Sequence, residues 1–198
     1  TLVLPALAEF RSHYPNIDIA VHQENAKNVS EQLRMGFVEI GIHESWIDSE
    51  NLSCELLLKD TYGLVCSTEH PLASQKTVSF ADLSNSTVIQ LSDDSAIRKR
   101  LDAETQIKHL LHTDIETSDA TSLIWMISQN LGVSVLPENA AMIPTNGSVC
   151  FLPIEGFEKT RKLYLISNKK RTVSPAAGAF MDVIRTVAQG HSKSAIDS

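Results

Sequence analysis

A chain of 198 residues with 42% hydrophobic and 21% charged side chains is globular in composition, and it is long enough for one sizeable core or two small ones. A formal net charge of -7 argues against this chain itself gripping a nucleic-acid backbone, which needs a basic face; the short cluster Lys169, Lys170 and Arg171 reads as solvated loop charge. No apolar run reaches the roughly 18 residues of a membrane span, and no charged-then-apolar leader opens at Thr1, so the chain reads as soluble, with no membrane partner.

Val3, Leu7, Phe10 and Tyr14 recur at the spacing of one helical face, and Pro15-Asn16 ends that helix. Ile17, Ile19 and Val21 alternate with Asp18, Ala20 and His22 as a strand would. The polar run from Gln23 to Asn28 leads into a second helix carrying Val29 and Leu33. Gly36 closes it, because glycine takes the left-handed conformation after a helix without a Cβ penalty. Val38, Ile40 and Ile42 follow as a short buried strand. Helix, strand, helix, strand is the α/β order of a parallel sheet, and a helix starting at residue 2 wants a strand before it, so the first strand of the fold is expected upstream.

Leu56 to Leu58 and Leu64 to Cys66 are two short apolar runs separated by a stretch that includes Lys59-Asp60-Thr61. His70-Pro71-Leu72 is a turn, Phe80 to Leu83 a single helical turn, and Val88 to Leu91 a strand that empties into Ser92-Asp93-Asp94-Ser95. Those four side chains suit a helix N-terminus, where Ser and Asp cap exposed N–H groups. The helix they start carries Ile97 and Leu101, and a further apolar stretch holds Ile107 and Leu111. Ile115 to Thr117 is another strand, and Ser118-Asp119 caps a helix with Leu123, Ile127 and Leu131 on one face.

The stretch Gln129 to Ala140, QNLGVSVLPENA, repeats the pattern of Leu33 to Glu44, LRMGFVEIGIHE: a helix end, a glycine, an apolar strand, then polar residues. Gly132 stands where Gly36 stood, and Val133, Val135 and Leu136 read as a second buried strand. Two such units far apart suggest two α/β lobes, and open α/β sheets bind ligands beyond the carboxyl ends of their strands. Val149 to Leu152 and Leu163 to Ile166 are late strands. Ser174 as N-cap and Pro175 at the first helical position announce the last helix, with Phe180, Val183, Ile184 and Val187 on its buried side. Gly190 is expected to end it, leaving residues 191–198 as a flexible tail.

Few chemistries are signalled. The sequence has no GxSxG elbow, HExxH, phosphate loop or GxGxxG fingerprint, so no enzyme activity and no cofactor are expected. Cys54, Cys66 and Cys150 are odd in number and widely spaced, which suggests reduced thiols rather than a disulfide framework or zinc site. A redox pair among them would need two to be close in space and one prone to ionise. His109 and His112 stand three apart, but no third ligand follows at a motif spacing, so no metal site is expected.

Six blocks in order, LPALAEFRSHYPNIDI, LRMGFVEIGI, HPLA, FADL, ISQNLGVSVLP and SPAAGAFMDVIR, together resemble the effector-binding domain of LysR-type transcriptional regulators. The resemblance runs from about Leu4 to Arg185. It implies a fold like the type 2 periplasmic binding proteins: two Rossmann-like lobes joined by two crossover strands, with a small-molecule cleft between them. Lobe I would be residues 1–62 with 167–190, and lobe II residues 63–166. The family's DNA-binding helix-turn-helix and the first strand with its ligand-touching loop would lie upstream, leaving Thr1 nearest that loop. The resemblance also implies a cytoplasmic homodimer or homotetramer, with the first helix around Leu4 to His13 packing on lobe II of a partner and DNA reached only through the upstream domain.

Effectors in that family are held by polar side chains and backbone N–H groups at loops facing the cleft, often at helix N-termini where an anion is welcome. The matching positions are Asn25, Ala26 and Lys27, then His43 and Glu44, then Ser92, Asp93, Ser95 and Arg98, then Ser118 and Thr121. Each has a plainer role beside it. Arg98 can pair with a ligand carboxylate or with Asp94 or Asp102 on its own helix, and Ser95 can touch ligand or only cap. His43 can switch a hydrogen bond with pH or serve structure alone. Glu44, Asp93 and Asp94 weigh against an anionic effector, Lys27 and Arg98 in favour, so the ligand's charge stays open. A solute-binding protein of a membrane transporter shares the fold and is the alternative reading, distinguished by a secretory signal upstream in place of a helix-turn-helix.

Overall fold

The computed structural model describes residues 2–22, 24, 26–47, 49–104, 112–141 and 146–194. The chain divides into two compact units, the first made of Thr1–Asp60 with Arg161–Ser198 and the second of Thr61–Thr160. The second boundary lies at Arg161 rather than 167. The residues between them belong to a strand whose partners are in unit 1, so they pack with that unit.

Unit 1 holds α1 (Val3–His13), α2 (Ala26–Met35), β1 (Ile40–His43), the first part of β2 (Leu52–Ser67), nearly all of β7 (Thr160–Asn168) and the last helix, α6 (Pro175–Ser194). β7 pairs antiparallel with β1, Ile42 opposite Leu165 and His43 opposite Tyr164, and its other neighbour is β2. The sheet here is therefore not parallel as the element order implied. Both faces of β7 are covered. Leu165 packs with Leu2, Ala6, Ile184 and Ala188 under α1 and α6, whereas Tyr164 and Ile166 pack with Leu33 of α2 and with Leu52. Alternate side chains point to opposite faces of a strand, which is why a near-continuous apolar run such as Leu163 to Ile166 serves two cores. Gly41 lets α2 lie close, because a Cβ there would stand 2.6 Å from Val29 Cγ1.

Several expectations shift in unit 1. The buried face of α1 is Leu2, Ala6 and Phe10, with Tyr14 exposed; the helix is rotated from the Val3–Leu7–Phe10–Tyr14 stripe, and Leu2 and Ala6 pack with Leu165, Ile184 and Ala188. Residues 17–22 form no strand. Alternation alone does not make one without a neighbouring ladder, and Ile19 and Val21 are exposed. Val38 precedes β1 instead of belonging to it. Gly190 does not stop α6, which runs to Ser194; glycine ends a helix only by adopting positive φ, and otherwise costs about 1 kcal/mol within it. The start of α6 is as read, with Ser174 Oγ accepting from Ala177 N–H at 3.2 Å and Glu39 holding Ser174 N–H at 2.6 Å.

Unit 2 is built on the second part of β2, which lies between β5 (Ser134–Pro137) and β6 (Val149–Leu152), antiparallel to both. β5 continues through a parallel bridge between Val88 and Val133 to β3 (Ile89–Leu91), which pairs in parallel with β4 (Ile115–Thr117). The two expected runs at Leu56 and Leu64 are thus one 16-residue strand. One face buries Tyr62, Leu64, Cys66, Val133 and Val135 with Leu72, Leu83 and Leu101. The other buries Val65, Ile89, Leu91 and Leu136 under Leu123, Ile124 and Ile127 of α4 (Ala120–Ser128), while α3 (Ala96–Asp102) and the single turn α5 (Glu138–Ala141) complete the unit. Pro71–Ser74 and Phe80–Asn85 are short 3₁₀ turns, the latter closed by a Ser79–Asp82 capping box. The apolar stretch with Ile107 and Leu111 lies outside the described residues.

The two helix-to-strand turns end alike for different reasons. Gly36 has φ +78° and its N–H and that of Phe37 both return to Gln32 O. In unit 2 the left-handed residue is Asn130, at φ 57°, where Asn130 N–H bonds Ile127 O and Leu131 N–H bonds Met126 O, the paired closure of a Schellman turn. Leu131 is consequently outside the helix and exposed. Gly132 is needed for room, since a Cβ would sit 2.4 Å from Thr87 O.

A buried ion network occupies the end of unit 1. Arg161 Nε bonds Asp60 Oδ2 at 2.8 Å and Arg161 Nη1 bonds Glu44 Oε1 at 2.7 Å. The side chains of Asp60, Arg161 and Glu44 are 1%, 10% and 18% exposed. Burial works against the Arg161 charge, and the two carboxylates outweigh it, holding the guanidinium above its ordinary value.

Two stability measurements check these assignments. By urea unfolding, Gly132→Ala should cost about 1–3 kcal/mol through overpacking against a carbonyl and Asn130→Ala about 1 kcal/mol through the left-handed penalty, while Asn130→Gly should cost nothing. Arg161→Met strands buried carboxylates and should lose about 3–5 kcal/mol; a loss below about 1 kcal/mol would mean that the network is solvated.

Candidate functional site

β3 and β4 run parallel and adjacent, so the loops leaving their carboxyl ends are neighbours, and Ser92 N–H bonds Thr117 O at 2.9 Å to tie them together. The first loop carries Ser92, Asp93 and Ser95 into α3, and the second carries Ser118 into α4, whose first turn bears Thr121. Two helix N-termini therefore start from one edge of the sheet, the position at which open α/β sheets take ligands. In the second loop Asp119 caps α4 by accepting from Ser122 N–H at 2.6 Å. That bond, with the Asp119 side chain's contact to the Ser122 hydroxyl, keeps its carboxyl below the usual range. Ser118 and Thr121 are exposed beside it.

The groups of the first loop are more engaged. Ser92 Oγ donates to Asp94 Oδ1 at 2.6 Å, whereas Asp93 is exposed. Ser95 holds the N-cap position but makes no side-chain cap bond; its N–H donates to Ser92 O at 3.0 Å. Arg98 takes the plainer of its two roles. Its Nε bonds both Asp102 oxygens, at 3.0 and 2.9 Å, and Nη1 reaches Leu91 O at 3.3 Å. The concavity beside Arg98, lined also by Gln90, Ile97 and Ser134, has a volume of about 10 Å³, room for no more than a water.

In unit 1 the residues at the end of β1 are tightly placed. His43 Nδ1 accepts from Ser45 N–H at 2.9 Å, so the neutral ring carries its proton on Nε2. Glu44 is bound to Arg161 as described. Lys27 is exposed in the first turn of α2. Thr1 and Asn25 lie outside the described residues, as does His109; His112 is exposed and 3.8 Å from Asp114. Among the described residues, no three His, Cys, Asp or Glu side chains gather as a metal site would require.

Sequence reasoning missed Arg161, Asp60 and Trp46. Asp60 stands among the polar residues Glu55, Lys59 and Thr61 in β2, so no local signal marked it out, and nothing local points to Arg161, 101 residues away. Trp46 stands 59% exposed two residues beyond Glu44, its ring edge-on to Tyr164 with centroids 5.5 Å apart. A wider groove of about 440 Å³ lies elsewhere in unit 1, lined by Gly36, Glu39, Asn168 and Arg171. Its charged groups already serve structure, Glu39 holding Ser174 and Arg171 Nη2 bonding Met35 O at 3.0 Å.

Comparison with known proteins gives this geometry a context. The chain is 27% identical over 185 residues to the HTH-type transcriptional regulator YfeR of Shigella flexneri, covering 93% of this chain and 60% of the relative. It is 25% identical over 182 residues to the HTH-type transcriptional activator CmpR of Synechocystis, covering 90% and 59%; the chain thus spans about 60% of the length of these relatives. Among solved structures it is similar to the regulatory domain of Synechocystis CcmR in complex with 2-PG, with TM-score 0.67, 18% identity and coverage of 94% and 90%. The effector-binding domain of QuiR in complex with shikimate aligns with TM-score 0.61 and 22% identity, covering 96% and 91%. These neighbours have the two-lobed α/β fold of the type 2 periplasmic-binding-protein class. The family model described as the LysR substrate binding domain matches residues 1–189, and the chain belongs to that family.

Proposed function

We propose that this chain is the effector-sensing part of a LysR-type transcriptional regulator, which takes up a small organic molecule and passes the change to a DNA-binding helix-turn-helix of the whole protein. The observation that carries the reading is the side-by-side placement of the Ser92–Ser95 and Ser118–Thr121 loops at the carboxyl ends of parallel β3 and β4. There, hydroxyls and helix-terminal N–H groups stand beside the carboxyl groups of Asp93, Asp94 and Asp119 and offer hydrogen bonds to a polar ligand. The relatives are helix-turn-helix regulators, and two structural neighbours were solved with 2-PG and with shikimate, which supports a small polar effector. Regulator relatives favour this reading over delivery to a transporter.

The structure-level charges sharpen the chemistry. Glu44 shares Arg161 with Asp60, and Arg98 pairs with Asp102, so both are engaged by neighbours in their own units. In unit 2 the effector is held by hydrogen bonds to Ser95, Ser118 and Thr121. Such a protein senses without turnover and works in the cytoplasm as a homo-oligomer. Among the described residues no helix is long and apolar enough to cross a membrane. A ligand acts on such a regulator only through different affinities for its conformational states.

A thermal-shift screen with small hydroxy acids, phosphorylated acids and amines tests the site. A ligand at about a hundred times its dissociation constant should stabilise by roughly 2.7 kcal/mol. The shift should be lost in Ser118→Ala/Thr121→Val and kept in Lys170→Ala. A hit unaffected by the double substitution, or consumed during the assay, would remove this loop pair or this reading.

A further inference from the structure

Cys66 and Cys150 are 84 positions apart, yet β2 and β6 place them directly opposite each other, with their Sγ atoms 3.5 Å apart. Directly opposed residues of an antiparallel pair have Cα atoms about 4.5–5.5 Å apart, inside the roughly 4.4–6.8 Å that a disulfide spans. The strands are already in place for a bond, and only the sulfurs must close to about 2.05 Å. Cys66 is fully buried and Cys150 half-buried, whereas Cys54, the third free thiol, packs with the unit 1 core.

We propose that Cys66 and Cys150 form a modification site, a cross-strand thiol pair that a small thiol oxidant of the diazene or disulfide class converts to an intramolecular disulfide. The order of events follows from exposure. Burial first, then the hydrogen bond with Cys150, pushes the Cys66 thiol up to about 12, so Cys66 stays protonated and does not begin the reaction. Cys150, the more accessible sulfur, gives up its proton and attacks a diazene nitrogen, forming an S–N bond as the N=N bond becomes N–N. Cys66 then attacks Cys150 Sγ, losing its own proton as the S–S bond forms and the S–N bond breaks. The nitrogen pair leaves as a hydrazine, having gained the two electrons and two protons that the thiols lost. A small disulfide acts by the same two displacements and leaves as two thiols. β2 passes from unit 1 into unit 2, so the new bond fastens the unit 2 half of that strand to β6.

The folded chain treated with diamide, then denatured and alkylated, reads this out. Of its three cysteines, two should be protected, the intact mass should fall by two hydrogens, and a peptide linking Cys66 to Cys150 should appear and vanish with dithiothreitol. The oxidised protein should melt at a higher temperature, because the bond restricts the unfolded chain. Cys54→Ser should keep the linkage and Cys150→Ser should abolish it, the half-buried position being the safer one to substitute. Three alkylatable thiols after diamide sufficient to oxidise dithiothreitol would overturn the proposal. So would linkage through Cys54 or between molecules, or a disulfide that forms only in urea.

Discussion

The contact between Arg161 and the two carboxylates of Asp60 and Glu44 ties together three segments of unit 1. Asp60 is the last residue of unit 1 on β2 and Arg161 is the first on β7, so the guanidinium clasps the two strands where the chain leaves the unit and where it returns. Through Glu44 it also holds the segment that follows β1. Apolar packing is non-directional and would tolerate small slips of these strands. A planar guanidinium with forked donors does not, because a displaced carboxylate loses its bonds while staying buried. Buried ion pairs are weak evidence for stability but good candidates for fixing register, and this one sits where β1, β2 and β7 must agree.

The same network changes how the candidate site is read. Summed along the sequence, Glu44, Asp93, Asp94, Lys27 and Arg98 give an ambiguous charge balance. Folding engages some of these groups internally: Glu44 shares Arg161 with Asp60, Arg98 pairs with Asp102, and Asp94 accepts from the Ser92 hydroxyl. Three of the five charged groups are thus held by neighbours in their own unit, and the β3–β4 edge offers hydroxyls and N–H groups together with the exposed acids Asp93, Asp94 and Asp119.

What was legible in the sequence was whatever local chemistry decides. Asp119 and Ser174 mark helix starts because their side chains bond N–H groups three residues on. β5 and β6 are short apolar runs bounded by polar segments, and so are visible. What local chemistry does not decide was hidden. The stretch that includes Lys59-Asp60-Thr61 separated two short apolar runs in the sequence, and the cation that receives Asp60 within one long strand lies 101 positions away. Ile17 to Val21 alternated as a strand does, but alternation says which face is apolar and not whether a neighbour supplies the ladder. The Cys66–Cys150 approach depends on β-register alone, which no spacing encodes.

The paired helix-to-strand turns show how a correct topology can follow from a partly wrong cause. Gly36 and Gly132 occupy matching places in the sequence, and the repeat led to two helix-to-strand units. In the first, glycine is the residue with positive φ. In the second, Asn130 takes that conformation two positions earlier, and the glycine is present because Thr87 O leaves no space for a Cβ. The repeated requirement is a helix stop followed at once by a buried strand. Either a Gly at the left-handed position or an Asn there with a Gly at the tight approach satisfies it. The repeat was therefore informative about architecture because the demand recurs, even though the residues meeting it do not have the same job.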